Sequence, residues 1–200
     1  STVSINPTDN DAHNNNNNFF IINSKILTQN YEDEFEEMWN NTFKKGNLVA
    51  NPHIKIDGVL VENYFCPEDH CAERVKDELK KAKKSIFFMT FSFTNEGITN
   101  ILLLKHLDNI TIQGVTENRM ASEDSNYELL NYQNISVLKD GNKNTMHHKV
   151  FIIDNETVVT GSFNPSKGGD EKNDENLLII HDVEIAKRFS IEFQSVWAEA

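Results

Sequence analysis

Residues 146–166 read MHHKVFIIDNETVVTGSFNPS. Two apolar, β-branched runs, KVFIID (149–154) and TVVTGS (157–162), stand on either side of a tight turn at Asn155-Glu156, as the strands of an antiparallel hairpin do. Side chains alternate along a strand, so His147 and Lys149 share one side and His148 is turned away from them. The returning strand brings Ser162 and Asn164 back beside that pair. An imidazole, an ammonium, a hydroxyl and an amide converging in this way suit one phosphate group, and Gly161 leaves room for backbone to approach it closely.

Outward from this hairpin, strand-like and helix-like stretches alternate. HIKIDGVLVENYF (53–65) predicts a hairpin around Asp57-Gly58. A helix opening at Pro67-Glu68-Asp69 buries Val75, Leu79 and Ala82 and ends in lysines. SIFFMTFSF (85–93) and NLLII (176–180) are unbroken apolar runs of the kind that form strands buried on both faces. NITIQGV (109–115) and ISVLKD (135–140) add two strands, while helices are expected over 98–107, 127–132 and 183–197. The predicted class is α/β, a mixed β-sheet flanked by helices. The phenylalanines of 87–93, Trp39 and Trp197 read as core.

The first forty residues repeat the last forty. SINPTDNDAHNNNNNFFIINSKILTQNYEDEFEEMW (4–39) aligns without a gap on residues 162–197 at a constant offset of 158, with ten of 36 positions identical. Ser4, Asn6 and Pro7 match Ser162, Asn164 and Pro165, and Glu34, Phe35 and Trp39 match Glu192, Phe193 and Trp197. The asparagine run thereby falls where Glu175-Asn176 enters a strand, with Asn17 opposite Glu175 and Val3 opposite Gly161. The expected organisation is a strand–helix tail of a first repeat plus a linker over residues 1–50, followed by a complete second repeat over 51–200.

The pattern His147-x-Lys149, four residues, Asp154, six residues, Gly161-Ser162-x-Asn164 resembles the signature of the phospholipase D superfamily. The likeness runs over roughly 58–197, and residues 4–39 match the closing part of such a repeat. It implies a phospholipase D-like fold and a phosphodiesterase that works through a phosphohistidine without metal or cofactor. His147 would attack phosphorus, and Lys149 and Asn164 would stabilise the charged oxygens. Ser162 would position phosphate, Glu175 would hold the far ring nitrogen of His147, and Asp154 would order the local turn and lysine network. Ser4 and Asn6 would be the phosphate-binding remnants of the first half-site, with Asn17 as its altered acid. A second histidine must protonate the leaving oxygen; it would come from a first repeat upstream of Ser1 or from a homodimer.

Composition narrows the function. The net charge of −12 argues against a generally basic grip on nucleic acid or anionic lipid, though not against a local basic site. No apolar run reaches the roughly 18 residues of a membrane helix, and no signal-peptide pattern is present, so a cytoplasmic protein without membrane contact is expected. Cys66 and Cys71 leave a disulfide, a partial metal site with His70, and two buried thiols all open. A nuclease with DNA or RNA as substrate is the leading expectation from the resemblance to small members of that superfamily. Hydrolysis of a phospholipid such as cardiolipin and a non-catalytic nucleic-acid-binding module are the alternatives.

Overall fold

The computed structural model describes residues 2–121 and 126–200, with the side chains of Thr2 and Val3 excepted. In chain order the first elements are β1 (Thr2–Val3), α1 (Asp9–His13), β2 (Phe19–Phe20) and α2 (Lys25–Trp39). The hairpin β3 (His53–Ile56) and β4 (Val59–Cys66) follows, then α3 (Cys71–Lys81), β5 (Ser85–Thr90), α4 (Glu96–Leu107) and β6 (Thr111–Thr116). The chain closes with α5 (Tyr127–Tyr132), β7 (Ser136–Lys139), β8 (Lys149–Ile153), β9 (Thr157–Gly161), α6 (Lys167–Glu171), β10 (Glu175–His181) and α7 (Val183–Glu199).

Among the described residues, eight strands form one mixed sheet in the order β3-β4-β10-β9-β8-β5-β6-β7. Strands β5, β6 and β7 run parallel and the rest pair antiparallel. On one face α3, α4 and α5 bury Val75, Leu79, Ile98, Leu102 and Leu130 against Phe88, Phe151, Ile153 and Ile179. On the other, α7 lays Phe189, Phe193 and Val196 on Met89, Val150, Ile152 and Val158. Beside it Leu27 of α2 packs on Ile54, Val61, Leu178 and Ile180. The central strands are apolar on both faces because both faces are covered.

The turns follow from local chemistry. Asp57 and Gly58, both at positive φ, close the β3–β4 hairpin as a mirror-type turn requires. The second hairpin turns at Asp154 and Asn155, also at positive φ, one residue earlier than the sequence pattern placed it. Helix α3 starts at Cys71 rather than at Pro67, because Asp69 turns its carboxylate back onto the N–H groups of Phe65 and Val49. A Cys66–Cys71 disulfide joins that turn to the helix.

The N-terminal segment copies the 157–199 segment in detail. Val3 pairs with Phe19 and Thr2 with Phe20, as Gly161 pairs with Leu177 and Thr160 with Leu178. Helices α1 and α6 begin and end at equivalent positions, capped by the hydroxyls of Thr8 and Ser166. Ser24 and Asp182 cap α2 and α7 at the same register. Trp39 departs from expectation. Trp197 packs on the core, but Trp39 is exposed, because no sheet lies over that side of α2 among the described residues.

Candidate active site

The end of the sheet where β8 and β10 begin and β5 and β9 finish holds His147, Lys149, Ser162, Asn164 and Glu175. Lys149 opens β8 opposite Thr90 and is almost fully buried. Its ammonium donates to the carbonyl of His147 at 2.8 Å and lies 5.1 Å from the centre of the Phe91 ring. Burial pushes it down to about 7, against the upward pull of Glu175 and Asp11.

His147 stacks edge-on against Phe91 at 4.9 Å. Its Nδ1 lies 2.8 Å from the backbone oxygen of Ser4. A carbonyl oxygen only accepts, so Nδ1 carries the proton and the Nε2 lone pair is left free. Burial and the neighbouring Lys149 charge lower the imidazole below its ordinary value, so it is neutral at pH 7. His148, as the alternation predicted, faces away. Its Nδ1 accepts from the Asn18 amide at 3.3 Å and its Nε2 donates to Glu192 at 3.2 Å, the opposite tautomer to its neighbour.

The N-terminal segment builds much of the His147 environment. Asn16 takes the N–H of His147 on its carbonyl and gives its own N–H to Thr145, while Asn15 accepts from the N–H of Thr145. The asparagine run is thus threaded beside residues 142–148 as a short parallel bridge at Asn16 and Met146. Ser4 is buried, its hydroxyl shared between Asn17 Oδ1 and the N–H of Asn18. Ser162 sits in the matching bond, accepting from the N–H of Asn176 at 3.0 Å. Asn6 lines a cleft of about 370 Å3 together with His147, Phe91, Asp11, Arg119 and Thr145.

The assignments of Glu175 and Gly161 change, and that of Asp154 does not. Glu175 does not hold His147; its carboxylate accepts from Asn173 at 3.0 Å and reaches Lys149 only through space, because Ser4 occupies the far ring nitrogen. Asp154 lies at the opposite end of β8 from the site. There it takes the N–H groups of Lys83, Lys84 and Ser85 at 2.7–2.9 Å, the structural role anticipated for it. Gly161, at φ +144°, makes room not for a ligand but for the carbonyl of Asn176, 2.3 Å from where a Cβ would stand. Asn17 bonds Ser4 and the carbonyl of Asp11 and no histidine among the described residues. Asn164 keeps a buried amide oxygen that finds no partner among the described residues. Sequence reasoning missed Phe91, Arg119 and Asp11, which carry no motif spacing, and the pairing of His53 and His181 on the buried Glu62.

Residues 75–197 match the family described as cardiolipin synthase, PLD-like domain. The chain belongs to the phospholipase D superfamily. It is 30% identical to a mitochondrial cardiolipin hydrolase of Xenopus laevis over 138 residues, which are 67% of this chain and 66% of that protein's length. With a phospholipase D of Rickettsia felis it shares 26% over 161 residues, 78% of this chain and 80% of that one. Among solved structures it superposes on the phospholipase D family member Nuc from Salmonella typhimurium with a TM-score of 0.66 and 31% identity, over 70% of this chain and 94% of that one. NucT from Helicobacter pylori gives 0.64 and 26%, over 70% and 97%.

Proposed function

We propose that this phospholipase D-type domain hydrolyses phosphodiester bonds of nucleic acid through a phosphohistidine on His147. What carries the proposal is the bond from His147 Nδ1 to the Ser4 carbonyl, which leaves an unprotonated Nε2 beside a buried ammonium. Nε2 attacks phosphorus, the P–O bond to the leaving group breaks, and the leaving oxygen takes a proton from a second acid. Water then attacks the phosphohistidine, releasing the phosphate and restoring the imidazole. Lys149 supplies positive charge to the non-bridging oxygens, and the side-chain NH2 of Asn164 is the group of that amide able to donate to them.

The second acid is proposed to be a histidine of another repeat of the same fold, carried by an upstream segment or by a second copy of the chain. Phe19, Ile21 and Phe35 are 56%, 81% and 52% exposed, whereas their counterparts, Leu177 and Ile179 within β10 and Phe193 on α7, are 2%, 1% and 3% exposed. An exposed apolar face of that shape fits a second sheet laid on α2 as β8 and β5 lie on α7. Glu34, the counterpart of the Glu192 that holds His148, is raised to about 7 by burial and nearby acids and suits an imidazole partner.

Polynucleotide is the substrate proposed for the cleft at His147, where Asn6, Asn15, Thr145 and Arg119 offer hydrogen-bonding groups to a sugar–phosphate strand beside the apolar Phe91 and Met120. Likeness to a mitochondrial cardiolipin hydrolase and to a phospholipase D favours a second reading, hydrolysis of a phosphatidyl lipid. No described helix is long and apolar enough to cross a membrane. The test is cleavage of single-stranded DNA and RNA, and of cardiolipin vesicles, in EDTA, by the protein at a concentration where two copies can associate. Nucleotide release abolished by His147→Ala supports the proposal. Lipid turnover without nucleotide release replaces it with the second reading, and turnover of neither contradicts both.

A further inference from the structure

Arg119 stands at the rim of the cleft that contains His147. Its side chain is exposed, yet its position is fixed from below. The Nε–H donates at 2.6 Å to Glu117, a carboxylate 2% exposed. The other oxygen of Glu117 accepts the N–H of Met146 at 2.8 Å, the residue immediately before His147. A terminal nitrogen of the guanidinium donates to the Thr145 hydroxyl. The buried acid therefore acts as a peg that ties the guanidinium to the backbone of the nucleophile.

A guanidinium has five N–H donors. Two are used in these bonds, and three have no partner among the described residues. Arginine in this setting is suited to a bidentate grip on phosphate. Thr145 stands two positions before His147, so their Cα atoms are at most about 7 Å apart. Arg119, Thr145 and His147 line the same cleft. Asp11, the carboxylate on the same rim, already accepts from the Asn6 N–H and the Asn15 amide, so its charge is partly neutralised toward the cleft.

We propose that Arg119, pegged by Glu117, forms a second phosphate subsite, so that the chain engages two neighbouring phosphates of one polynucleotide strand. This rests on the phosphodiesterase reading of His147 and names how its substrate is held. Nothing in the H-x-K pattern points to Arg119, which lies 28 positions upstream of His147 on a different strand end.

The test is titration of the chain with thymidine 3′,5′-bisphosphate and thymidine 5′-monophosphate, followed by calorimetry or amide NMR. The wild type is expected to prefer the bisphosphate by about tenfold, the worth of one charge-assisted contact. Arg119→Gln should reduce that preference to within about twofold and leave monophosphate affinity unchanged, with Arg119→Lys intermediate. A matching melting temperature for Arg119→Gln shows that the fold is intact. Equal affinity of the wild type for both ligands, or a preference that survives Arg119→Gln, overturns the subsite and leaves the His147 site standing. Failure of the wild type to bind either ligand overturns the phosphodiesterase reading as well.

Discussion

Lys149 is the place where stability and chemistry oppose one another. Its ammonium is 5% exposed and titrates near 7 instead of its ordinary 10.5. Keeping a proton on a group with that displacement disfavours the folded state by about 5 kcal/mol at neutral pH and below. Lys149→Met removes the charge while nearly preserving the volume. The hydrogen bond to the His147 carbonyl is lost with it, worth about 1 kcal/mol. A net gain of about 3–4 kcal/mol is expected at pH 6.5, or about 10 °C in melting temperature for a chain of this size. The sign of the pH dependence is specific. Below about 7 both folded and unfolded chains hold the proton, so the gap between variant and wild type is constant. Between 7 and 10.5 only the unfolded wild type holds it, so the wild type gains stability as pH rises. The gap then narrows by ~1.4 kcal/mol per pH step and closes at about pH 9–10. Urea unfolding followed by circular dichroism at pH 6.5, 8 and 9.5 measures this directly. A variant less stable than wild type at pH 6.5, or a gap that stays flat up to pH 9.5, refutes the reasoning. The same variant should lose phosphate binding, the usual price of a functional charge in a buried place.

Affinity for thymidylyl-thymidine, whose phosphodiester does not titrate in this range, should fall by up to about tenfold per pH unit above 7, as Lys149 gives up its proton. Calorimetry in two buffers of different ionisation enthalpy should show proton uptake on binding at pH 8. Asp154→Ala should lower stability by about 2 kcal/mol, since three backbone N–H groups lose their acceptor, while phosphate affinity at the far end of β8 is unchanged. Burial tends to raise that carboxyl, but the N–H groups of Ser85, Lys83 and Lys84 outweigh it. Its contribution is therefore present above about 3.8 and is lost as pH falls through its lower folded value; unfolding at pH 7 and pH 3 checks this. Gly161→Ala should cost about 3 kcal/mol in denaturant unfolding, because the new Cβ meets the Asn176 carbonyl, which is held by the N–H groups of Ser162 and Phe163.

The fold was legible where burial imposes a pattern. The β8–β9 hairpin, the buried run at 85–90 and the amphipathic α3 carry their periodicity openly, and the match of residues 4–39 to 162–197 reappears as the same pairing register and the same helix caps. Alternation along β8 also separated His147 from His148. What the sequence did not carry is the identity of neighbours brought in from far along the chain. The carbonyl that holds His147 belongs to Ser4, 143 residues away, and a backbone oxygen leaves no trace in residue type. Glu175 was assigned to His147 from the family pattern, but β10 sets its carboxylate toward Asn173 and the Lys149 side instead. Trp39 was read as core by analogy with Trp197; a matched helix face is buried only if a matched sheet lies over it. Arg119 was invisible for a similar reason, since its meaning comes from Glu117 and Met146 beneath it.

The central claim is that the N-terminal segment fixes His147 as a neutral imidazole with its lone pair on Nε2. Nitrogen-15 NMR of the ring, titrated from pH 5 to 9, tests it most directly. The account predicts a neutral Nδ1–H tautomer at pH 7, a titration midpoint below 6.5, and loss of that tautomer preference when residues 1–18 are deleted. A protonated ring at pH 7, or a proton resident on Nε2 in the neutral form, contradicts it.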